Sequence, residues 1–524
     1  METRRKKVLK AVFACVTMLA VSVSMGLNGQ LSNGVECAEV ATTESNSAEL
    51  VLMANQSKNT YTYCSHPASV TTFYTEGVQQ SVCYNAYRGT LYVLTEGSEE
   101  YVVMENPFLK ETGDVGQSLY GGCFAGEKYN YVVFGRTNET EDSETAVIRV
   151  QQYTKGWVLR AETDLKDCNT VEPFRAGNCR MVEDEGKLYF YTSHLMYAYE
   201  GINHQANMIF TLDSETLEQE FVYGDIMNRE ATGYISHSFD QYIEADGDKL
   251  YCLDLGDHYP RSISLVERNK RVKSGDFGIR ALDVMEFPET EGVTLGTSIG
   301  GFSMRDDCFV IVGNTIDYEA EKNAERGQRN IFMSVVSRDF QQNIRTDITS
   351  YVSGDRVLVG TPQLVQVTPS EYYVFWEEES VSDKYVFSDA AQTYAVRVTI
   401  KDIDDGFAED PQSYIKVSPC VRLNTHLSDC QPVLSTDGSH ISWVVISDTG
   451  FYNCQAAVST LEFYFNMDYD VSRNGKVNIV DVVLLSNYLL GNDLSAGAYH
   501  FDINNDGTIN ILDMLHLKRY MLRG

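Results

Sequence analysis

ADGDKLYCLDLG, residues Ala245–Gly256, decides how this chain folds. A polar turn, Asp246-Gly247-Asp248, opens into a short apolar run from Leu250 to Leu255. A run of this length bounded by turn residues is a strand signal; a surface helix would need longer spacing at three and four residues. The same pattern recurs at RGTLYVLTEG (88–97), GEKYNYVVFGR (126–136), DEGKLYFYTS (184–193), RDDCFVIVG (305–313), SEYYVFWEE (370–378) and DGSHISWVVIS (437–447). Most copies are followed by a second strand signal, such as TAVIRVQQYT (145–154), MIFTLDSET (208–216), SISLVERN (262–269), NIFMSVVSR (330–338) or TYAVRVTI (393–400). The unit this predicts is a four-stranded antiparallel sheet. Repeated around an axis, such sheets bury both faces and leave no long exposed edge. Residues 60–465 therefore predict a mainly β domain, a seven-bladed β-propeller. Six or eight blades, or a pair of β-sandwiches, fit the same strand density.

The composition narrows the partners. The 524 residues carry 74 Asp and Glu against 42 Lys and Arg, a net charge of −32. Phosphate contacts need clustered basic side chains, so this balance argues against nucleic acid or an anionic membrane as partner. It suits an extracellular protein that handles divalent cations or neutral ligands. The 33 Tyr and only 10 Pro favour strands over disorder.

The amino terminus reads as an export signal over residues 1–26. METRRKKVLK supplies a cationic start and AVFACVTMLAVSVSMGL the apolar run. Cleavage is expected near Gly26, with VECA and EVA as competing sites, and no membrane association after it; a retained anchor is the alternative. Residues 27–59 are small, polar and weakly periodic, and predict a linker. Twelve cysteines are scattered without a C-x-x-C pair, which argues against structural zinc. Extracellular disulfides and buried thiols both fit, and no pairing can be read from the spacing.

The tail has a different texture. DVSRNGKVNIVD (470–481) and DINNDGTINILD (502–513) stand thirty-two residues apart, and each runs into an apolar helical stretch. Calcium takes six to eight oxygens, and a twelve-residue loop offers them from positions 1, 3, 5, 7, 9 and 12, with glycine at 6. The first copy places Asp470, Ser472, Asn474, the carbonyl of Lys476, Asn478 and Asp481 at those positions, around Gly475. The second places Asp502, Asn504, Asp506, the carbonyl of Thr508, Asn510 and Asp513 there, around Gly507. Two Ca²⁺ ions are the expected cofactor. Position 12 holds Asp where an EF-hand has Glu, and no helix precedes either loop. The apolar side chains of the exiting helices, Val483, Leu484, Tyr488 and Leu489 against Leu515, Leu517, Tyr520 and Met521, are expected to form the small core.

A loop with only its exiting helix, used twice, resembles the type I dockerin of cellulosomal proteins, over residues 466–524. The resemblance implies a cohesin domain on a scaffold protein as partner. It places the contact at Ile479, Val480, Ser486 and Asn487 in the first copy, and Ile511, Leu512, Lys518 and Arg519 in the second. Clostridial dockerins often have small hydroxyl residues where this chain has Ile-Val and Ile-Leu, which points to a cohesin from another bacterial group. The alternative for these aliphatics is a place in the module's own core. Residues 236–265, 297–315 and 329–336 resemble segments of secreted bacterial proteins of propeller type, a likeness that implies fold alone.

Dockerin cargo is most often a plant-polysaccharide enzyme, so the resemblance implies glycoside hydrolysis, polysaccharide lysis or carbohydrate binding for the β domain. A non-catalytic propeller binding glycan or protein, and other cargo such as a peptidase or inhibitor, are the alternatives. A glycosidase needs two carboxylates roughly 5 to 10 Å apart across the scissile bond. The candidates are Glu377, Glu378 and Glu379 in WEEES, Asp240 and His237 in SHSFDQ, and Asp254, Asp257, His258, Tyr259 and Arg261 around LDLGDHYPR. If the stretch between the last two motifs is a strand, both lie at blade ends near the axis. Trp376 is the candidate sugar-stacking ring. No nucleophile elbow, zinc-protease helix or phosphate-binding loop is present.

Overall fold

The computed structural model describes residues 36–38, 40–50, 65–98, 100–225, 227–228, 234–259, 261–270, 278–287, 296–319, 328–352, 354–355, 357–380, 391–403, 413–438, 440–448, 456–464, 469, 471–472, 477–491, 501, 503 and 509–523. The expected export signal lies outside them. Among the described residues no helix is long and apolar enough to cross a membrane.

Residues 41–464 form seven antiparallel sheets, the seven blades of a propeller. Counting each blade outward from the axis and not along the chain, the first strand of each of blades one to seven is Val70–Thr75, Ser118–Ala125, Cys179–Asp184, Tyr234–Asp246, Thr297–Met304, Gln363–Thr368 and Val433–Leu434. Successive first strands pack against one another, and the ring closes where Val70–Thr75 meets the second strand of blade seven, His440–Asp448. Each neighbouring pair of blades shares an apolar cluster. Tyr189 and Tyr191 of blade three meet Ile243 and Cys252 of blade four, and Phe375 of blade six meets Trp443 of blade seven and Cys83 of blade one. Such pairing around a ring excludes two stacked sandwiches, whose inner faces would meet only one another.

The quoted apolar runs are interior strands, one per blade. Cys308–Ile316 is buried along its whole length, because blades press on both its faces. That is why these strands read as near-continuous apolar runs and not as alternation. Closeness at the axis limits side-chain size: a Cβ on Gly300 of blade five would overlap the carbonyl oxygen of Pro362 in blade six.

The expected linker is corrected in part. Glu36–Ala38 and Ala41–Leu50 are strands, and the second is the outermost strand of blade seven, paired from Ala41↔Glu462 to Leu50↔Ala456. An outer strand has one free edge and little apolar cover, so its polar sequence carries no strand signal. At the seam, Tyr74 Oη lies 2.9 Å from Ser442 Oγ and 3.1 Å from His440 Nε2. A short helix, α1 (Pro107–Thr112), capped by the Asn106 side chain, joins blades one and two.

Eight cysteines of the described set, from Cys83 to Cys430, carry free thiols, and seven of these eight are buried. Burial pushes the thiols of Cys179 and Cys252 up to about 12. Beyond the propeller lie two helices, α2 (Ile479–Leu489) and α3 (Ile511–Arg523).

Candidate functional site

The tail is built on two buried carboxylates. Asp481 and Asp513 are both fully buried, at the first turn of α2 and α3. Asp481 Oδ1 accepts from Ser472 N (2.8 Å) and Oδ2 from Asn478 N (2.7 Å). Asp513 Oδ1 accepts from Ile503 N (2.9 Å) and Oδ2 from Asn510 N (2.8 Å). The shorter Asp at position 12 thus ties the start of each loop to its helix. The Asn478 and Asn510 side chains cap the helices as well, accepting through Oδ1 from Val480 N (2.9 Å) and Leu512 N (2.7 Å). Each helix therefore begins in a side-chain cap that satisfies its first free N–H groups. Each carboxylate oxygen keeps a second lone pair for a cation. Asp470, Asn474, Lys476, Asp502, Asn504, Asp506 and Thr508 lie outside the described residues.

The two copies clasp each other symmetrically. Tyr469, just before the first loop, stacks on Tyr520 of α3 at 4.1 Å between ring centres. Phe501, just before the second, stacks on Tyr488 of α2 at 4.3 Å. Val471 and Ile503, each at loop position 2, are buried with Leu485, Met514 and Leu517. The expected core needs correction: Val483 and Leu515 are exposed, and Tyr488 and Tyr520 are more than a third exposed despite their stacking. The missed core residues are the loop side chains Val471 and Ile503, which the calcium pattern leaves unspecified.

The aliphatics assigned to the partner are outward-facing. Ile479 is 64% exposed and its counterpart Ile511 62%, and Val480 and Leu512 are exposed with them. These values remove the alternative of a place in the module's own core. Lys518 is exposed; Ser486 and Asn487 are half-buried, and the Arg519 side chain lies outside the described set.

The propeller's axis holds a cavity of about 250 Å³. First strands contribute Thr72, Cys123, Arg180, Asp240, Ile299 and Gln363, and the segment before blade seven contributes Leu427–Asp429. Three carboxylates, Asp240, Glu377 and Asp429, line it against one guanidinium, Arg180. Asp240 Oδ1 accepts from Asn178 Nδ2 (3.2 Å) and Gln241 N (3.0 Å). Arg180 lies over the Tyr242 ring, 4.4 Å from its centre. Glu377 is 3% exposed, and its Oε1 accepts from Leu427 N (2.8 Å). His426 Nδ1 stands 3.3 Å from the same oxygen, and that hydrogen bond raises the imidazole above its ordinary value.

The other candidates divide. His237 stands opposite Asp257, and Ile235 opposite His258, on a single hairpin of blade four. The side chains of His237, Asp257, His258 and Tyr259 lie outside the described set; Arg261 stands immediately before the next strand, Ser262–Asn269. Asp254 is corrected as a site acid: it is fully buried, and its Oδ1 accepts from Tyr191 Oη (2.8 Å), Ser238 Oγ (2.7 Å) and Asn207 Nδ2 (3.1 Å). Glu378 takes bonds from Trp376 Nε1 (2.7 Å) and Tyr351 Oη (2.5 Å), away from the cavity lining, and burial raises its carboxyl. Glu379 is likewise absent from that lining. Trp376 is corrected too: it is buried and stacked on Tyr394, so no sugar can lie on it.

Residues 468–522 match the family model of the dockerin type I domain. No curated protein matches the chain. Similar solved structures include the Pan2 WD40 domain of Neurospora crassa, 6% identical, with a TM-score of 0.39 over 75% of this chain and 89% of that one. An α-L-arabinanase of Cellvibrio cellulosa in complex with arabinohexaose is 9% identical, with a TM-score of 0.31 over 67% and 99%. An exo-1,5-α-L-arabinanase from a bovine ruminal metagenomic library is 11% identical, with a TM-score of 0.30 over 58% and 96%. The blade count rests on the sheet order above, not on these distant likenesses.

Proposed function

We propose that this chain is a secreted cargo subunit of a cellulosome-type assembly, fastened to a scaffold cohesin by its dockerin and acting in plant-polysaccharide catabolism. The observation that carries the docking reading is the doubled tail. Two carboxylate-tied loops lead into two helices, and each helix presents an exposed aliphatic pair at the same place. Two Ca²⁺ ions complete the loops. Asp481 and Asp513 are their position-12 groups, with Ser472, Asn478 and Asn510 beside them and the remaining oxygens from the loop residues named above. A buried carboxylate is costly unless compensated, and a cation at each loop offsets that cost.

For the propeller, the proposed activity is O-glycosyl hydrolysis in the central cavity, with Asp240 and Glu377 as the acid pair. It rests on the role common to dockerin cargo and on two carboxylates lining one cavity. Polysaccharide lysis is the other catalytic class. One observation favours the non-catalytic reading: all three tryptophans, Trp157, Trp376 and Trp443, are buried, so none offers a stacking platform for a sugar ring.

The tests are separable. The calcium-loaded chain is passed over immobilised cohesins of its own bacterium, and the Ile479→Asp, Ile511→Asp double variant is expected to lose capture. Retention of that variant at parental strength refutes the assigned face. Reducing-sugar release from plant cell-wall fractions is measured with the parent, Asp240→Asn and Glu377→Gln. Release by the parent that survives in both variants removes this acid pair, and binding without release selects the non-catalytic reading.

A further inference from the structure

The chain crosses its own cavity. After the outer strand Ala41–Leu50 of blade seven, residues 65–69, Ser-His-Pro-Ala-Ser, run to the innermost strand of blade one. Their first residue is held on the far side of the ring. Ser65 N donates to the Phe239 carbonyl of blade four (2.6 Å), and Ser65 Oγ accepts from Asn178 Nδ2 beside blade three (3.1 Å). Their last residue is held at the near side. Ser69 N and Oγ both donate to Asp429 Oδ2 (3.0 and 2.8 Å), and the Ser69 carbonyl accepts from Tyr84 N (2.8 Å). Ser65, His66 and Ala68 are themselves part of the cavity wall. Five extended residues reach at most about 17 Å, enough to pass from one side of such a ring to the other.

We propose that residues 65–69 form a gate over the central cavity, hinged at Ser69 and latched at Ser65. The two ends are unequal in the way a gate requires. The hinge has three hydrogen bonds, two of them to a carboxylate, and bonds to a charged group are the stronger kind. The latch has two neutral ones, and its side-chain bond comes from Asn178, whose Nδ2 also serves Asp240 Oδ1. Pro67 fixes one backbone torsion in the middle, so the segment swings as a stiff piece. Opening uncovers Asn178 and Asp240 on the blade-three and blade-four side, the groups the cavity would turn toward a ligand. The gate is independent of the docking reading, because no residue of the tail enters it.

Two wall residues report on it. Cys123 and Cys179 line the cavity and are buried, whereas Cys308 is buried within blade five away from it. Buried thiols react slowly, because the thiolate is disfavoured and the reagent is excluded. The full calcium-loaded chain is labelled with N-ethylmaleimide and modification is followed at each cysteine by peptide mass spectrometry. Ser65→Ala removes one latch bond and is expected to speed labelling of Cys123 and Cys179 about fivefold, with Cys308 unchanged. Ser65→Pro, which removes both the hydroxyl and the N–H that the Phe239 carbonyl accepts, is expected to speed it further. Unchanged labelling at Cys123 and Cys179 in both variants, or a parallel rise at Cys308, overturns the gate. Hydrogen exchange on the parent chain gives a readout free of mutation: the Ser65 amide should exchange ahead of the strand amides of Val82 and Val133. Exchange no faster than theirs makes the segment a fixed part of the ring and refutes the proposal.

Discussion

Replacing Asp513 with Asn isolates what the tail's buried carboxylates do. Asp513 is fully buried and both its oxygens accept a main-chain N–H, from Ile503 and Asn510. Asn keeps the shape and one acceptor but turns an amide NH₂ toward one of those donors. One charge-assisted bond is lost and one buried N–H is left without a partner, together costing roughly 2–4 kcal/mol. Apolar burial in a module this small supplies only about 3–5 kcal/mol, so the change is comparable to the whole core contribution. At about 4–8 °C per kcal/mol for a domain of this size, its midpoint should fall by roughly 10 to 30 °C. Differential scanning calorimetry of the full chain measures this, with the propeller transition as internal standard. Repeating the scan at a tenfold higher calcium concentration checks the cation's part, since mass action raises both midpoints while the bonded difference between parent and variant persists. A shift below about 4 °C in both conditions, or an equal shift of the propeller transition, would refute the assignment of stability to this carboxylate.

Three further outcomes are expected. Chelation alone should melt the tail and leave the propeller transition in place; a single transition indifferent to chelator contradicts the calcium reading. A chain beginning at residue 60 lacks the outer strand Ala41–Leu50, and its propeller should melt roughly 5 °C lower or more, because the edge of Ala456–Tyr464 is left unpaired. An unchanged midpoint would show that the strand contributes no closure. His426, raised by its hydrogen bond to Glu377, contributes stability fully present below about pH 6.5 and lost as pH rises through its folded value. Because the ring is well exposed, the contribution is under about 1 kcal/mol, and His426→Gln should flatten the propeller's midpoint between pH 6 and 8 in the same scans.

How much of this was legible follows from where each residue sits. The seven apolar runs were readable because interior strands are covered on both faces, as Cys308–Ile316 shows. The calcium pattern was readable because loop chemistry prescribes oxygens at fixed positions. Ala41–Leu50 was hidden, since an outer strand needs no apolar run. In WEEES the pattern alone could not choose among adjacent acids: successive side chains of a strand face opposite ways. Glu377 lines the cavity, while Glu378 bonds Trp376 on the other face. Asp254 and Trp376 looked like site residues because sequence carries residue type and not depth. The exposure of Ile479 and Ile511 was equally undecided, as an aliphatic at a helix start serves a core or a partner alike.

The outer strand of blade seven also sets an order of events. It is synthesised early, yet its mate, Ala456–Tyr464, is made more than four hundred residues later. Throughout that interval an unmated edge waits in company with six unfinished sheets, the circumstance in which chains stick to one another. ATTESNSAEL, with no aromatic and a single leucine, is suited to waiting. A greasier version of the same ten residues would grip its mate harder and meet a neighbouring molecule sooner.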